Sequence, residues 1–349
     1  MKRFNLNRQI DLIAKREFEC DAKGVLSSGS FNLTLLKRFN HMKYLIPILF
    51  LLLFVLPSKA QHQAAYNHYI ANQGLLNPAY NGTRDIMSGL LIHRSQWIGV
   101  EGAPMNQALN VHGPIEDTNL GVGVILANDN LGFTNVFDFM GAASYKIQLD
   151  RRGKFLSFGL QLGVSSNVYD GTRAITDQYG DPVFQRKESN ITFNVGVGAY
   201  YYAENYFAGF SIPKMFDPVY NQGSEGYKNT LNIEHLHSYW YGGYIFDLGD
   251  VKIKPTALIR TVVGAPLTFD VSANVLLMER LWLGASYRSV SEAVFLSEFI
   301  INRQFTVRYS FDYSISPMGR FGQYGSHEIG IQFDFSFNKR PGMRSIRYF

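Results

Sequence analysis

The chain has 349 residues, of which 46% are hydrophobic and 15% aromatic, with 27 Phe and 21 Tyr set against only 17% charged residues. Residues 1–60 hold 10 Lys/Arg and 4 Asp/Glu; taking these from the chain's 33 and 28 leaves 23 basic and 24 acidic residues, so the net +5 belongs to the start of the chain and gives no basis for nucleic-acid binding. The single cysteine, Cys20, lies in the same stretch, which excludes a disulfide framework and a thiolate centre from everything after it.

The first feature in chain order is the apolar run Tyr44 to Val55. It is too short for a spanning helix, which takes about 20 apolar residues. Met42 and Lys43 give it a positive start, and Ser58-Lys59-Ala60 supplies a small-x-small cleavage site before Gln61. The pattern is that of a secretory signal peptide over 42–60, with residues 1–41 read as a start-site over-extension. Residues 61–84 form an N-terminal periplasmic segment, either a plug in the domain that follows or a strap beneath it.

From Asp85 onward the sequence has a period of two. Ile329, Ile331, Phe333, Phe335 and Phe337 alternate with Glu328, Gly330, Gln332, Asp334 and Ser336, and Phe305 to Tyr313 and Leu267 to Val275 alternate likewise. Such runs place one residue set on each face of a sheet. The pattern predicts strands over 85–97, 104–113, 118–127, 133–148, 154–167, 190–202, 206–212, 237–246, 251–262, 265–277, 281–289, 292–301, 304–315 and 326–337. They follow one another as hairpins with no helical pattern between them, and aromatics recur toward the ends of the apolar face. The fold class is therefore all-β: a transmembrane outer-membrane antiparallel β-barrel of about 14 strands, spanning 85–337. Short links at 149–153, 203–205, 247–250 and 278–280 follow even-numbered strands. The long ones near 168–189, 213–236 and 316–325 follow odd-numbered strands, as expected when the short turns are periplasmic. A basic tail, 338–349, carries Lys339, Arg340, Arg344 and Arg347 and reads as a solvated strap.

Few residues suggest chemistry. His235 and His237 share a strand face beside Glu234, but no third ligand is spaced to complete a metal site, so an ordinary loop junction is the better reading. Asn128-Asp129-Asn130 reads as a turn, because Ala127 stands where a calcium loop wants a carboxylate. Gly121-Val122-Gly123 reads as small residues alternating with an apolar one. The inward polar residues Asp270, Glu328, Arg308, Asp312 and Asp334 read as a hydrogen-bonded interior network, with a selectivity lining as the alternative. No catalytic residue, metal site or cofactor is expected, and the chain is read as a non-enzyme.

The most distinctive segment runs from Asn77 to Asn130. Asn77-Pro78-Ala79-Tyr80-Asn81-Gly82 precedes Arg94-Ser95-Gln96-Trp97-Ile98-Gly99-Val100-Glu101-Gly102-Ala103-Pro104, and Val111-His112-Gly113-Pro114-Ile115 and Asn128-Asp129 follow. Together these resemble the PorP/SprF family of type IX secretion system membrane proteins of Bacteroidetes. The terminal Gly330-x-x-Phe333-x-Phe335 resembles the last strand that barrel-assembly machinery recognises.

The resemblance implies an outer-membrane component that partners the type IX translocon. It would bind and help export or anchor a large cargo protein with a C-terminal targeting domain, such as a surface adhesin of gliding relatives. The alternative is a passive outer-membrane porin or small-solute channel. Pro78, Gly99, Gly102 and Pro104 suit tight turns around the first hairpin, and Trp97 suits the outer lipid interface. Trp97, Gly99, Gly102 and Pro104 are candidate partner contacts, together with the long-loop aromatics Tyr179, Phe184, Tyr220 and Tyr227. The other expected partner is outer-membrane lipid; nucleic acid is not one.

Overall fold

A computed structural model describes residues 66–151, 153–173, 187–221, 226–231, 236–289, 292–315 and 324–335, with the 217–229 stretch described through its backbone. The strands are β1 (Met87–Ser95), β2 (Met105–Pro114), β3 (Leu120–Leu131), β4 (Thr134–Gln148), β5 (Phe155–Asp170), β6 (Lys187–Tyr202), β7 (Tyr206–Ile212), β8 (Phe216–Asn221) and β9 (Gly226–Leu231). They continue as β10 (Ser238–Tyr244), β11 (Phe246–Asp247), β12 (Val251–Thr261), β13 (Thr268–Leu277), β14 (Leu281–Arg288), β15 (Glu292–Ile300), β16 (Phe305–Ser314) and β17 (Ser326–Phe335).

All but β8 and β9 belong to one antiparallel wall. β11 only continues β10 past an interruption at Ile245, so the wall has fourteen staves. It closes on itself: β1 pairs with β17 from Met87↔Phe335 to Ser95↔His327, and β10 bridges β7 and β12. Closure leaves the wall without two open edges, which hydrocarbon could not solvate. Following paired residues once around returns to β6 about fourteen residues away from the start, the stagger that tilts the staves of a barrel.

Burial along the staves is inverted relative to a water-soluble sandwich. Leu91, Phe139, Leu160, Leu162, Phe295, Ile329 and Ile331 are exposed on the outside, whereas Ser88, Arg94, Asn110, Asp270, Ser310 and Glu328 are buried inside. An apolar exterior around a polar interior is stable only when hydrocarbon is the outer solvent.

Each expected strand has its counterpart, with ends shifted by up to four residues. Two local readings change. Asn128-Asp129-Asn130 is not a turn: β3 runs on to Leu131, because Asn130 still pairs with Asn135 across the hairpin. The long connection after β7 contains a hairpin of its own, β8–β9, which pairs with no stave.

β1 starts and β17 ends at the same rim, together with the short turns. The opposite rim carries the β1–β2 loop and the long connections after β5, β7 and β16. Short turns mark the periplasmic rim of bacterial barrels and long loops the external one.

The N-terminal segment, for which plug and strap were both open, lies inside the barrel from Tyr66 to Thr83. Three short 3-10 turns, Asn67–Ile70, Gln73–Leu75 and Pro78–Tyr80, fold it compactly. It runs from the external half of the lumen, where Asn67 meets β16 and β17, to the periplasmic rim, where Arg84 meets Asp334.

Candidate functional site: the occupied lumen and the external mouth

The middle of the plug is the Asn77-Pro78-Ala79-Tyr80-Asn81-Gly82 motif, buried throughout. Asn77 caps the last 3-10 turn by accepting the Ala79 N–H (2.9 Å), as short amide side chains do at turn starts. Its Nδ2 donates to the carbonyls of Ala199 (3.0 Å) and Phe210 (3.2 Å), which joins the plug to β6 and β7. Asn81 Nδ2 donates back to Pro78 O, and Ser144 Oγ of β4 donates to Asn81 O (2.5 Å).

The wall opposite the motif is made of glycines. A Cβ on Gly159 would overlap the Pro78–Ala79 backbone, and one on Gly198 would overlap Asn77 Oδ1. At Gly123 it would sit 2.5 Å from Asn81 Oδ1, and at Gly121 it would overlap Asn81 O. These four glycines form a trough that admits plug backbone to van der Waals range of the sheet. Gly121 and Gly123 therefore have a function that alternation alone does not reveal. Pro78, expected in a tight turn beside the first hairpin, opens the 3-10 turn Pro78–Tyr80 ahead of β1, and that turn belongs to the plug.

Beside the trough, Tyr80 packs edge-on against Tyr200 (5.6 Å) and His112 (5.2 Å). Tyr69, Tyr202, Phe207, Tyr239, Tyr241 and Leu258 complete this apolar cluster inside the barrel. It is built mainly from tyrosines, which supply apolar faces in an otherwise polar lumen.

The plug's outer end is held by charge. Glu328 of β17 is fully buried and accepts the backbone N–H groups of Asn67 (2.8 Å) and His68 (2.9 Å), and its carboxylate lies 2.6 Å from His68 Nδ1. Asn67 Nδ2 donates to Ser310 Oγ (2.8 Å) and Asp312, while Arg288 Nη2 donates to Asn67 Oδ1 (3.0 Å). Around this point the wall carries a chain of ion pairs: Arg260 and Arg288 (3.2 Å) on Asp270, Arg288 on Glu292 (2.6 Å), and Arg94 on Asp312 and Glu328 (3.6 Å). Arg308 pairs with Glu298 (3.0 Å). Of the inward polar residues singled out in the sequence, Asp312 and Glu328 bond the plug directly, Asp270 joins them through Arg288, and Arg308 forms a separate pair with Glu298. Asp334 closes the far end, accepting from Arg84 (3.0 and 3.2 Å) and Ser88 (2.7 Å).

A second element enters from the external rim. After Ile212 the chain turns inward: Gln161 Nε2 donates to Pro213 O (2.6 Å), and Lys214 Nζ to Asp138 (2.5 Å). Asn194 Oδ1 accepts the N–H groups of Met215 (2.9 Å) and Phe216 (3.2 Å), while its Nδ2 donates to Phe216 O (2.8 Å). Those wall residues face the lumen, so the connection begins inside it. Between plug and wall a cavity of about 30 Å³ remains, lined by His68, Lys254, Trp282 and Glu298. It has room for about one water.

The expected partner residues divide. Trp97, Gly99, Gly102 and Pro104 lie in the 96–104 loop at the external rim. Trp97, Gly99 and Gly102 have φ of 45°, 97° and 72°. Ile98 N donates to Gly325 O (3.0 Å) and Gly132 N to Gly102 O (2.9 Å), so the loop is strapped between its two neighbours. Tyr220 and Tyr227 are register partners in the β8–β9 hairpin. Tyr179 and Phe184 lie outside the described residues, as do Glu234 and His235. Among the described residues no group of three or more His, Cys, Asp or Glu is placed to hold a metal ion.

A family model for "Type IX secretion system membrane protein PorP/SprF" matches residues 58–333. The chain belongs to the PorP/SprF family. This PorP/SprF protein is an outer-membrane β-barrel of a secretion family, and that family is not one of enzymes. No curated protein matches it in sequence. Among solved structures it is similar to the outer-membrane protein Omp33 of Acinetobacter baumannii, at 9% identity and a TM-score of 0.41, covering 74% of this chain and 100% of that one. It is also similar to the KdgM porin, at 10% and 0.36 over 71% and 99%. For the CymD monoaromatic hydrocarbon channel the values are 13% and 0.48 over 79% and 95%. The closed register of the staves establishes the barrel architecture independently of these likenesses.

Proposed function

We propose that this PorP/SprF protein works as a non-enzymatic binding partner in type IX secretion, engaging an exported cargo protein at its external mouth and helping to export or anchor it. The reading rests on the occupied lumen. Residues 66–83 fill the barrel and residues 213–216 enter it from the other rim, which disfavours a passive porin and leaves the external loops as the working surface. The loops at 96–104 and 213–237, with Trp97, Tyr220 and Tyr227, are the proposed contact region, along with Tyr179 and Phe184 of the preceding connection. Delivery through a leader cleaved before Gln61 belongs to the same proposal, and N-terminal sequencing of the mature protein checks it.

The test combines two measurements. Purified protein in planar bilayers should show no steady large conductance, and protein purified from exporting cells should bring a type IX substrate with it. Replacing 217–235 with a short Gly/Ser link should leave the barrel folded and reduce the substrate recovered. Steady porin-like conductance without any copurifying substrate overturns the proposal.

A further inference from the structure

The wall is not of uniform height. β7 has seven residues, about 23 Å along the strand, and less when tilted. A membrane-spanning stave takes about 9–11 residues. Its neighbour β6 has sixteen. The last β6–β7 pair is Val197↔Ile212, after which Pro213 diverts the chain into the lumen. β6 therefore continues past β7 from Gly196 to Lys187, toward the external rim, with β5 on one side. On the other side, among the described residues, one backbone bond meets it, from Met215 N to Val195 O (3.0 Å), and the β8–β9 hairpin approaches β6 without pairing with it.

That bond identifies which groups face the step. In an antiparallel strand the N–H and C=O of one residue point to the same side. With Val195 O facing the step, the backbones of Phe193, Ile191 and Ser189 face it as well. On the outer surface the same stretch carries Phe193 (68% exposed) and Ile191 (64%), the two most exposed large apolar side chains of any described stave. Its inner surface carries Thr192 and Asn194, both buried. The step thus combines a strand edge, an apolar outer face and a polar inner face.

Resting on the secretion reading above, we propose that an extended segment of the exported cargo adds a strand along β6 from Ser189 to Phe193, completing the wall beyond the point where Met215 meets Val195. Strand addition to a sheet edge is a general mode of peptide recognition: backbone bonds supply the affinity and alternate side chains the selectivity. The segment that fits places apolar residues outward beside Ile191 and Phe193, and small or polar ones inward beside Thr192. An edge in or near hydrocarbon gains more from such pairing than one in water, because lipid offers its polar groups nothing.

The test places a photo-crosslinking residue, Phe193→p-benzoylphenylalanine, in cells that export cargo, with the same residue at Phe295 on a distant part of the outer face. The expected product at 193 is an adduct with a type IX substrate, mapped by mass spectrometry to one extended segment of it; at 295 that adduct is absent. A companion pair separates backbone from side chain. Phe193→Pro removes the N–H facing the step while leaving the β5 ladder intact, and should lower the substrate recovered about fivefold relative to Phe193→Ala. Heat-modifiable migration reports whether each variant forms its barrel. An adduct only with lipid or with a second copy of this chain, or equal adducts at 193 and 295, overturns the edge proposal while a copurifying substrate leaves the secretion reading standing. Failure of any substrate to copurify with the unaltered protein overturns both.

Discussion

His68 and Glu328 are 260 residues apart in sequence, yet the carboxylate of one receives the backbone N–H of the other at 2.9 Å and lies 2.6 Å from its Nδ1. His68 stands near the outer end of the plug and Glu328 on the last stave. At the other end, Arg84 of the same segment bonds Asp334 of the same stave and Ser88 of the first. The plug is therefore fastened at both ends to β17, and at its inner end it bridges the seam where β17 meets β1. Occupying the lumen and closing the barrel are mechanically one arrangement.

Glu328→Ala should detach the plug's outer end. It leaves His68 and two plug N–H groups without their acceptor and Arg94 with Asp312 alone, and removing one partner of a buried ion pair costs roughly 3–5 kcal/mol. The wall's ladders do not depend on that side chain. The expected variant keeps its barrel migration on gels but admits protease to residues 66–84 and shows conductance steps in planar bilayers. Glu328→Gln, which still accepts, should be milder. A Glu328→Ala protein as closed and protease-resistant as the original would contradict the latch.

The trough makes a graded expectation. Gly159→Ala sets a methyl against plug backbone, which has little room to yield, whereas Gly198→Ala meets the side chain of Asn77. Gly159→Ala should therefore be the more damaging. Gly141→Ala, whose added methyl would meet Leu162 O at 3.9 Å, an ordinary contact, should be nearly neutral. Combining Asn77→Ala with Gly198→Ala should cost less than the two separate losses added together, since the first removes the atom the second strikes. Urea midpoints in a fixed detergent would rank the four single variants and the double one, and equal midpoints for Gly159→Ala and Gly141→Ala would refute the trough.

How far the sequence discloses this architecture depends on the range of the forces involved. Stave positions were legible, because alternation such as Glu328 against Ile329 is local and the lipid imposes it on every strand. The polar network was legible in kind, since charges such as Asp270 and Arg308 on an inward face must pair with something. The plug was not. Asn77 bonds to Ala199 and Phe210, and Gly159 matters because of Ala79, contacts across 80 residues or more that leave no periodic trace. The same holds for Asn194, an ordinary inward polar residue until the chain beyond Pro213 folds back onto it. What distinguished the NPAYNG segment was family resemblance; its function in this fold became visible only with the wall around it.

The 96–104 loop allows its two roles to be separated. Gly99 has φ of 97° and lies against the Tyr324 ring, so Gly99→Ala should destabilise by about 1 kcal/mol or more through backbone strain. Trp97→Ala leaves the neighbouring glycines free to hold the turn. If the loop touches cargo, Trp97→Ala lowers substrate recovery with little change in the urea midpoint. If the loop only shapes the mouth, recovery follows the midpoint in both variants. Parallel loss of the two quantities would remove Trp97 from the contact surface.

Asn194→Ala tests whether the connection after β7 is held inside by design. The Asn194 amide accepts from Met215 and Phe216 and donates to Phe216 O, so its loss leaves the N–H and carbonyl of Phe216 without that partner, while Met215 N keeps Val195 O. Unsatisfied buried groups cost about 1–3 kcal/mol each, and the chain avoids that cost by swinging outward into water. The bonds of Gln161 to Pro213, Lys214 to Asp138 and Met215 to Val195 would then hold it only as far as Met215. Protease added to intact cells should cut within 213–237 faster in Asn194→Ala than in the unaltered protein. Conductance should stay closed, because the plug at 66–83 does not use Asn194. Opening of the pore in this variant would mean that the inward connection, rather than the plug, seals the barrel.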